Sequence, residues 1–223
     1  MDNIDKNTRW GNNDMTFNGK KPPEPEPAIQ SVEDPTAIKY SPHIVNEHEL
    51  VFDNPWLKVK KAGGYFYSER KGVDSIAFIL VAVNASDERR IGLIHEWKDP
   101  IGNFLTTAFG GSIDDEKYHN DLRLLVKDEV MEEAGFDVQF SAIKHHGSVM
   151  VSTQSNQFCH LFSVEVDKMQ QGERTTTNPT ELRSAVSWLT MMDIAKLEDW
   201  KAQAIILRRM LANNGLVFVK TAK

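Results

Sequence analysis

The chain has 223 residues, 40% of them hydrophobic, enough for one sizeable core and a small accessory region. A formal net charge of −6 offers no field that attracts a polyanion, so binding to extended nucleic acid is not expected, whereas a compact phosphate ligand held through a metal ion is still compatible. Cys159 is the only cysteine, which excludes an intrachain disulfide and a cysteine-rich zinc site, and its apolar neighbours Phe158 and Leu161 mark it as a core thiol. The longest apolar run, Ile76 to Val83, is far too short to cross a bilayer as a helix, and the N-terminus has no apolar signal core. No membrane partner is therefore expected, and the cytoplasm is the expected location.

Residues 1 to about 43 are polar, with Pro22, Pro23, Pro25 and Pro27 interleaved with Glu24 and Glu26, a composition that resists packing and predicts a disordered tail. Trp10 and Phe17 are isolated aromatics within it. The domain then occupies 44–223. From Glu49, apolar residues flank an Asn-Pro turn, and Gly63-Gly64 precedes Tyr65, Phe66 and Tyr67, as in a β-hairpin or meander. Strands follow over Ser75 to Val83 and Arg90 to Trp97, the first almost continuously apolar, as in a central strand buried on both faces. A short strand near Leu105 to Phe109 leads to a helix from about Asn120 to Ala134. Strands are then expected near Val138 to Phe140, Gly147 to Val151, Phe158 to Val166 and Ala185 to Leu189, with a closing helix from Asp193 to about Asn213. Mixed strands with interspersed helices and no regular βαβ alternation predict an α/β sandwich rather than a doubly wound parallel sheet.

The segment most telling for chemistry is Phe109-Gly110-Gly111, followed after an acidic loop containing Asp114, Asp115 and Glu116 by Asp128-Glu129-Val130-Met131-Glu132-Glu133-Ala134-Gly135-Phe136. At about 100° per residue, Glu129, Glu132 and Glu133 fall within about a third of a turn of one another on an α-helix. Three converging carboxylates repel unless a cation joins them, and oxygen donors suit Mg²⁺ or Mn²⁺. Leu122, Val126 and Val130 anchor such a helix at i, i+4, i+8, with Asn120 as its N-cap and Gly135 closing it. On spacing alone, a solvated acidic face explains the glutamates as well.

The ending Glu-Val-x-Glu-Glu-x-Gly-Phe, preceded by a glycine pair after a strand, resembles the Nudix box, Gly-x5-Glu-x7-Arg-Glu-U-x-Glu-Glu-x-Gly-U. The segments Asn54-Pro55-Trp56-Leu57-x-Val59 and Leu93-Ile94-His95-Glu96-Trp97-Lys98 resemble the ADP-ribose and nucleotide-sugar pyrophosphatase branch of that superfamily. In outline the resemblance covers residues 50 to 213. It implies a Nudix-type α/β/α sandwich with a mixed sheet, preceded by a small β element. It also implies Mg²⁺-dependent hydrolysis of a diphosphate bond in a small nucleotide substrate such as ADP-ribose or a nucleotide sugar, and homodimer formation. By matching position, Glu129, Glu132 and Glu133 are the implied catalytic residues and, with the Gly110 carbonyl and Glu116, the implied metal ligands. Trp97 and Lys98 become substrate-binding candidates.

Two departures from the box stand out. Asp128 replaces the arginine that orients a neighbouring glutamate, leaving Lys127 or Arg123 to substitute, and the spacing from glycine pair to helix is three or four residues too long. Glu116 fits the first box glutamate counting from Gly110, while Asn120 fits counting back from Asp128. The later loop that supplies an acidic base in some members reads Ser152-Thr153-Gln154-Ser155-Asn156-Gln157 here. Amides cannot take a proton at neutral pH, so the base falls to a box glutamate unless the metal activates the water, and Gln157 becomes a substrate contact. His145 and His146 are adjacent in a strand, face opposite sides, and read as surface residues. A second reading follows from the departures: a catalytically weak domain of this type that serves as a nucleotide-binding module.

Overall fold

The computed structural model describes residues 34–41, 48–70, 74–84, 86, 89–177 and 181–213, so Trp10, Phe17 and the proline cluster lie outside the described residues. By its contacts the chain divides after Asp34, and the unit from Pro35 onward holds the described elements. They begin with an antiparallel meander of β1 (Glu49–Asp53), β2 (Leu57–Ala62) and β3 (Tyr65–Arg70). Asn54 makes its first turn by accepting the backbone N–H of Trp56 at 2.8 Å and of Leu57 at 2.7 Å.

The main sheet takes β4 (Ser75–Ala82), β5 (Ile91–Lys98), β6 (Asn103–Thr107), β7 (Phe109–Ser112), β8 (Ile143–Met150), β9 (Phe158–Val166) and β10 (Ala185–Leu189). Its order is β10-β5-β4-β9-β8, with β6 beside β5 and β7 beside β4. The β4–β9 pair is parallel and the other pairs are antiparallel. β4 is central, and its alternation decides the layers. Ile76, Phe78 and Leu80 pack with α1 (Leu122–Glu129), while Ala77 and Ile79 pack with α3 (Trp200–Asn213), which follows the short α2 (Met191–Ile194). The result is a helix layer on each face of a mixed sheet, as the sequence predicts. Cys159 is buried on the α3 face, and burial pushes its thiol pKa up.

Several boundaries differ from the sequence reading. Residues 35–41, assigned there to the tail, pack on the domain: Ile38 and Tyr40 join the core, and Leu122 N–H donates to the Ile38 carbonyl at 2.8 Å. The same strap explains why Asp121, not Asn120, caps α1. One Asp121 oxygen accepts the N–H groups of Arg123 (3.0 Å) and Ile38 (3.1 Å). Val138 to Phe140 is not a strand; buried Val138 lies in an irregular link that ends in a 3₁₀ turn at Phe140–Ala142. The strand expected over Leu105 to Phe109 breaks at Ala108, and the helix expected from Asp193 to Asn213 breaks before Trp200. One carboxylate accounts for both breaks: Asp199 accepts Ala108 N–H at 2.6 Å and caps α3 through Lys201 N–H at 3.1 Å.

β8 carries a bulge between His145 and Ser148, with Gly147 at φ +83°. His146 is half-buried, with Nε2 2.9 Å from Ser163 Oγ, so the surface reading does not describe it. Burial first, then Arg209, Arg208 and Lys144, lower its pKa from 6.5 to about 4. A depressed folded pKa gives stability that is present above pH 6.5 and lost as the pH falls toward 4. The thermal midpoint is therefore expected to fall through that window, and His146→Gln should flatten the slope of Tm against pH without removing it.

Candidate active site

Near Leu80 and Val81, β4 pairs with β5. Toward its N-terminal end β4 pairs instead with β7, while β5 continues beside β6. The two strand pairs part there and open a cleft of about 750 Å³. Gly110 and Gly111 line it from β7, Glu96 and Lys98 from β5, and Glu129 and Glu133 from the helix.

Gly111 is required by close approach. A methyl group there would lie 2.2 Å from Glu129 Oε1 and 2.8 Å from its Cδ, so the carboxylate rests in the space that a side chain would fill. Helix α1 then widens into a π-turn over Val130–Ala134, closed by Gly135 at φ +74°. Glu129 and Glu133, four residues apart, share one face of this segment. Glu133 is buried in the cleft, while Glu132 is exposed and outside it. The expected convergence of three glutamates is thus corrected to two. Among the described residues no three His, Cys, Asp or Glu side chains group as metal ligands. Glu129, Glu133 and the Gly110 strand face the cleft, and of its two other carboxylates Glu96 is engaged by Lys98 while Asp114 stands on the loop, an oxygen-donor set that suits a hard cation which keeps water and takes further oxygens from a phosphate.

The other expected residues divide. Lys98 and buried Gln157 line the cleft. Trp97 does not: strand alternation turns it away from Glu96 and Lys98, where its Nε1–H donates to Asp99 Oδ1 at 2.7 Å and its ring meets Phe104 edge-on. Glu116 is exposed in a 3₁₀ turn outside the cleft, and Asp114 lines it instead.

Arg70, Glu96, Tyr118 and Lys201 also line the cleft and were not found from sequence. Period-two alternation from Lys98 could have found Glu96; nothing local marks Arg70 or Lys201. Lys98 donates to Glu96, which also accepts from Thr107 at 3.3 Å, so the Lys98 charge is already engaged. Neither proposed substitute for the missing arginine takes its place, since Arg123 grips Asp121 and Thr36 while Lys127 pairs with Asp137 at 2.9 Å. Asp128 instead accepts the Tyr118 hydroxyl at 2.9 Å. Tyr118 belongs to the over-long loop, so the two departures from the box meet in one hydrogen bond. Burial first, and then Asp128, raise the Tyr118 pKa against the opposing pull of Lys117, and the phenol stays protonated.

No protein-family model matches the sequence, and no curated protein matches it. Among solved structures, one described as the crystal structure of an ADP compounds hydrolase is similar with a TM-score of 0.54 at 17% identity, over 81% of this chain and 99% of that chain. At that identity the likeness establishes the fold, which is Nudix-like.

Proposed function

We propose that the chain is a Nudix-type pyrophosphohydrolase that uses Mg²⁺, or Mn²⁺ in its place, to cleave the diphosphate bond of a nucleoside diphosphate derivative such as ADP-ribose or a nucleotide sugar. The observation that carries this reading is the cleft in which Glu129 and Glu133 face Gly110 and Gly111 while Arg70 and Lys201 stand on other walls. Carboxylates would hold the cation and the basic side chains the phosphate oxygens. When bound, the metal supplies charge neutralisation of the diphosphate and activation of the attacking water. Gly111 lets the Glu129 carboxylate approach the β7 backbone, buried Glu133 shares the same wall, and Gln157 offers its amide to the substrate. Water adds to one phosphorus, the bridging P–O bond breaks, and two monophosphates leave. With no carboxylate on the loop after Val151, Glu129, Glu133 or Glu96 receives the proton.

The test is incubation of the full chain and Mg²⁺ with ADP-ribose, NADH, nucleotide sugars, dinucleoside polyphosphates and nucleoside triphosphates. Metal-dependent release of monophosphates from a diphosphate-linked member is the expected result. Failure across the whole panel, with and without Mn²⁺, would remove the reading.

Asp128 favours a second reading, a nucleotide-binding module with little turnover, because the helix lacks the arginine that orients its glutamates in the resembling family. Tight nucleotide binding without product would support it. We place the protein in the cytoplasm. For a homodimer, the exposed Leu50, Phe52, Trp56 and Phe66 of the meander and its first turn are the surface to test by sedimentation.

A further inference from the structure

The cleft's cations are not equivalent. Lys98 is paired with Glu96, whereas among the described residues no carboxylate pairs with Lys201, which reaches the cleft from the first turn of α3. That turn is fixed by one buried side chain. Asp199 Oδ1 accepts Lys201 N–H at 3.1 Å, and Oδ2 accepts Ala202 N–H at 3.4 Å and Ala108 N–H at 2.6 Å. Ala108 is the break between β6 and β7, two residues before Gly110. A single carboxylate therefore ties the strand that presents the glycine pair to the helix that presents Lys201. Because Asp199 already engages the first N–H groups of α3, attraction of an anion from this side has to come from the Lys201 ammonium and not from the helix end.

Building on the reading of the cleft as a diphosphate site, we infer that Lys201 is a substrate-binding residue that grips the diphosphate, and that Asp199 is a positioning residue acting through it. The Lys201 ammonium meets phosphate oxygens from the α3 side, across the cleft from the helix that carries Glu129 and Glu133. A lysine that only covers the α3 end would leave phosphate affinity unchanged when neutralised.

Isothermal titration of the full chain in Mg²⁺ with ADP, and with adenosine as the phosphate-free control, separates the two. Lys201→Gln should weaken ADP binding on the order of tenfold and leave adenosine unchanged, while Lys201→Arg should stay within about threefold of wild type. Asp199→Asn should weaken ADP binding, and adding it to Lys201→Gln should weaken it no further, whereas a merely structural Asp199 would add its own loss. Should Asp199→Asn fail to fold, the two Lys201 variants decide. ADP binding by Lys201→Gln equal to wild type, or a wild type that binds ADP no better than adenosine, would overturn the inference. Lys201-dependent ADP binding in a chain that hydrolyses none of the panel would keep it and remove the hydrolase reading instead.

Discussion

Glu133→Gln and Glu129→Gln are each expected to lower kcat/KM for the diphosphate substrate by about 10²–10⁴-fold, the range associated with loss of a proton-transfer group. Glu132→Gln should change it by no more than about twofold, as for a surface substitution. The contrast is informative because the three residues share one short segment and one chemistry. Gln preserves side-chain shape, so far-UV circular dichroism and the thermal midpoint should stay close to wild type in all three. Only Glu129 and Glu133 face the cleft, and only they have a carboxylate to lose there. Binding of Mn²⁺ followed by electron paramagnetic resonance gives a second readout that does not depend on turnover. It should weaken in the same two variants and not in Glu132→Gln. Equal activity and equal Mn²⁺ binding in all three would remove the metal assignment.

Two glycine substitutions should separate activity from stability. At Gly111, the atoms nearest an added methyl group are the end of the flexible Glu129 side chain, so the carboxylate is expected to move while the fold holds. Gly111→Ala is expected to lose about 10²-fold in kcat, the scale of a 1 Å misplacement, with little change in Tm. At Gly135 the backbone is left-handed, and the methyl group would stand 2.4 Å from the Gly172 carbonyl oxygen. Gly172 N–H in turn donates to the Gly135 carbonyl at 2.8 Å, so that strand of chain cannot withdraw without losing the bond. Gly135→Ala should therefore cost about 1–3 kcal/mol in backbone strain alone, and more for the overlap, read as a lowered denaturant midpoint. A Gly111→Ala protein that is fully active would show that Glu129 does not need its observed position.

Local pattern along the chain is enough to place part of the fold. The continuously apolar run that begins at Ser75 is the central strand, because a strand covered on both faces has no polar side to show. β9 and β10 fall where their alternation and flanking turns put them. The box resemblance picked out Gly110, Glu129 and Glu133, which line one cleft, since close backbone approach and helix-borne carboxylates leave a spacing that can be read along the chain.

The remaining features depend on contacts between elements distant in the chain. Glu132 is exposed and outside the cleft while its neighbour Glu133 is buried in it, a difference set by how the helix packs against β7 and one that residue spacing does not carry. Trp97 gives way to Glu96 because the sheet, not the segment, sets which face of β5 looks into the cleft. Lys201 lies more than 60 residues beyond the box and lines the cleft from α3, whose Asp199 cap bonds Ala108 only once β7 and α3 have packed. The glutamate pair was legible in one segment of chain; the cations that complete the cleft were not, because a contact between distant elements leaves no periodicity in either of them.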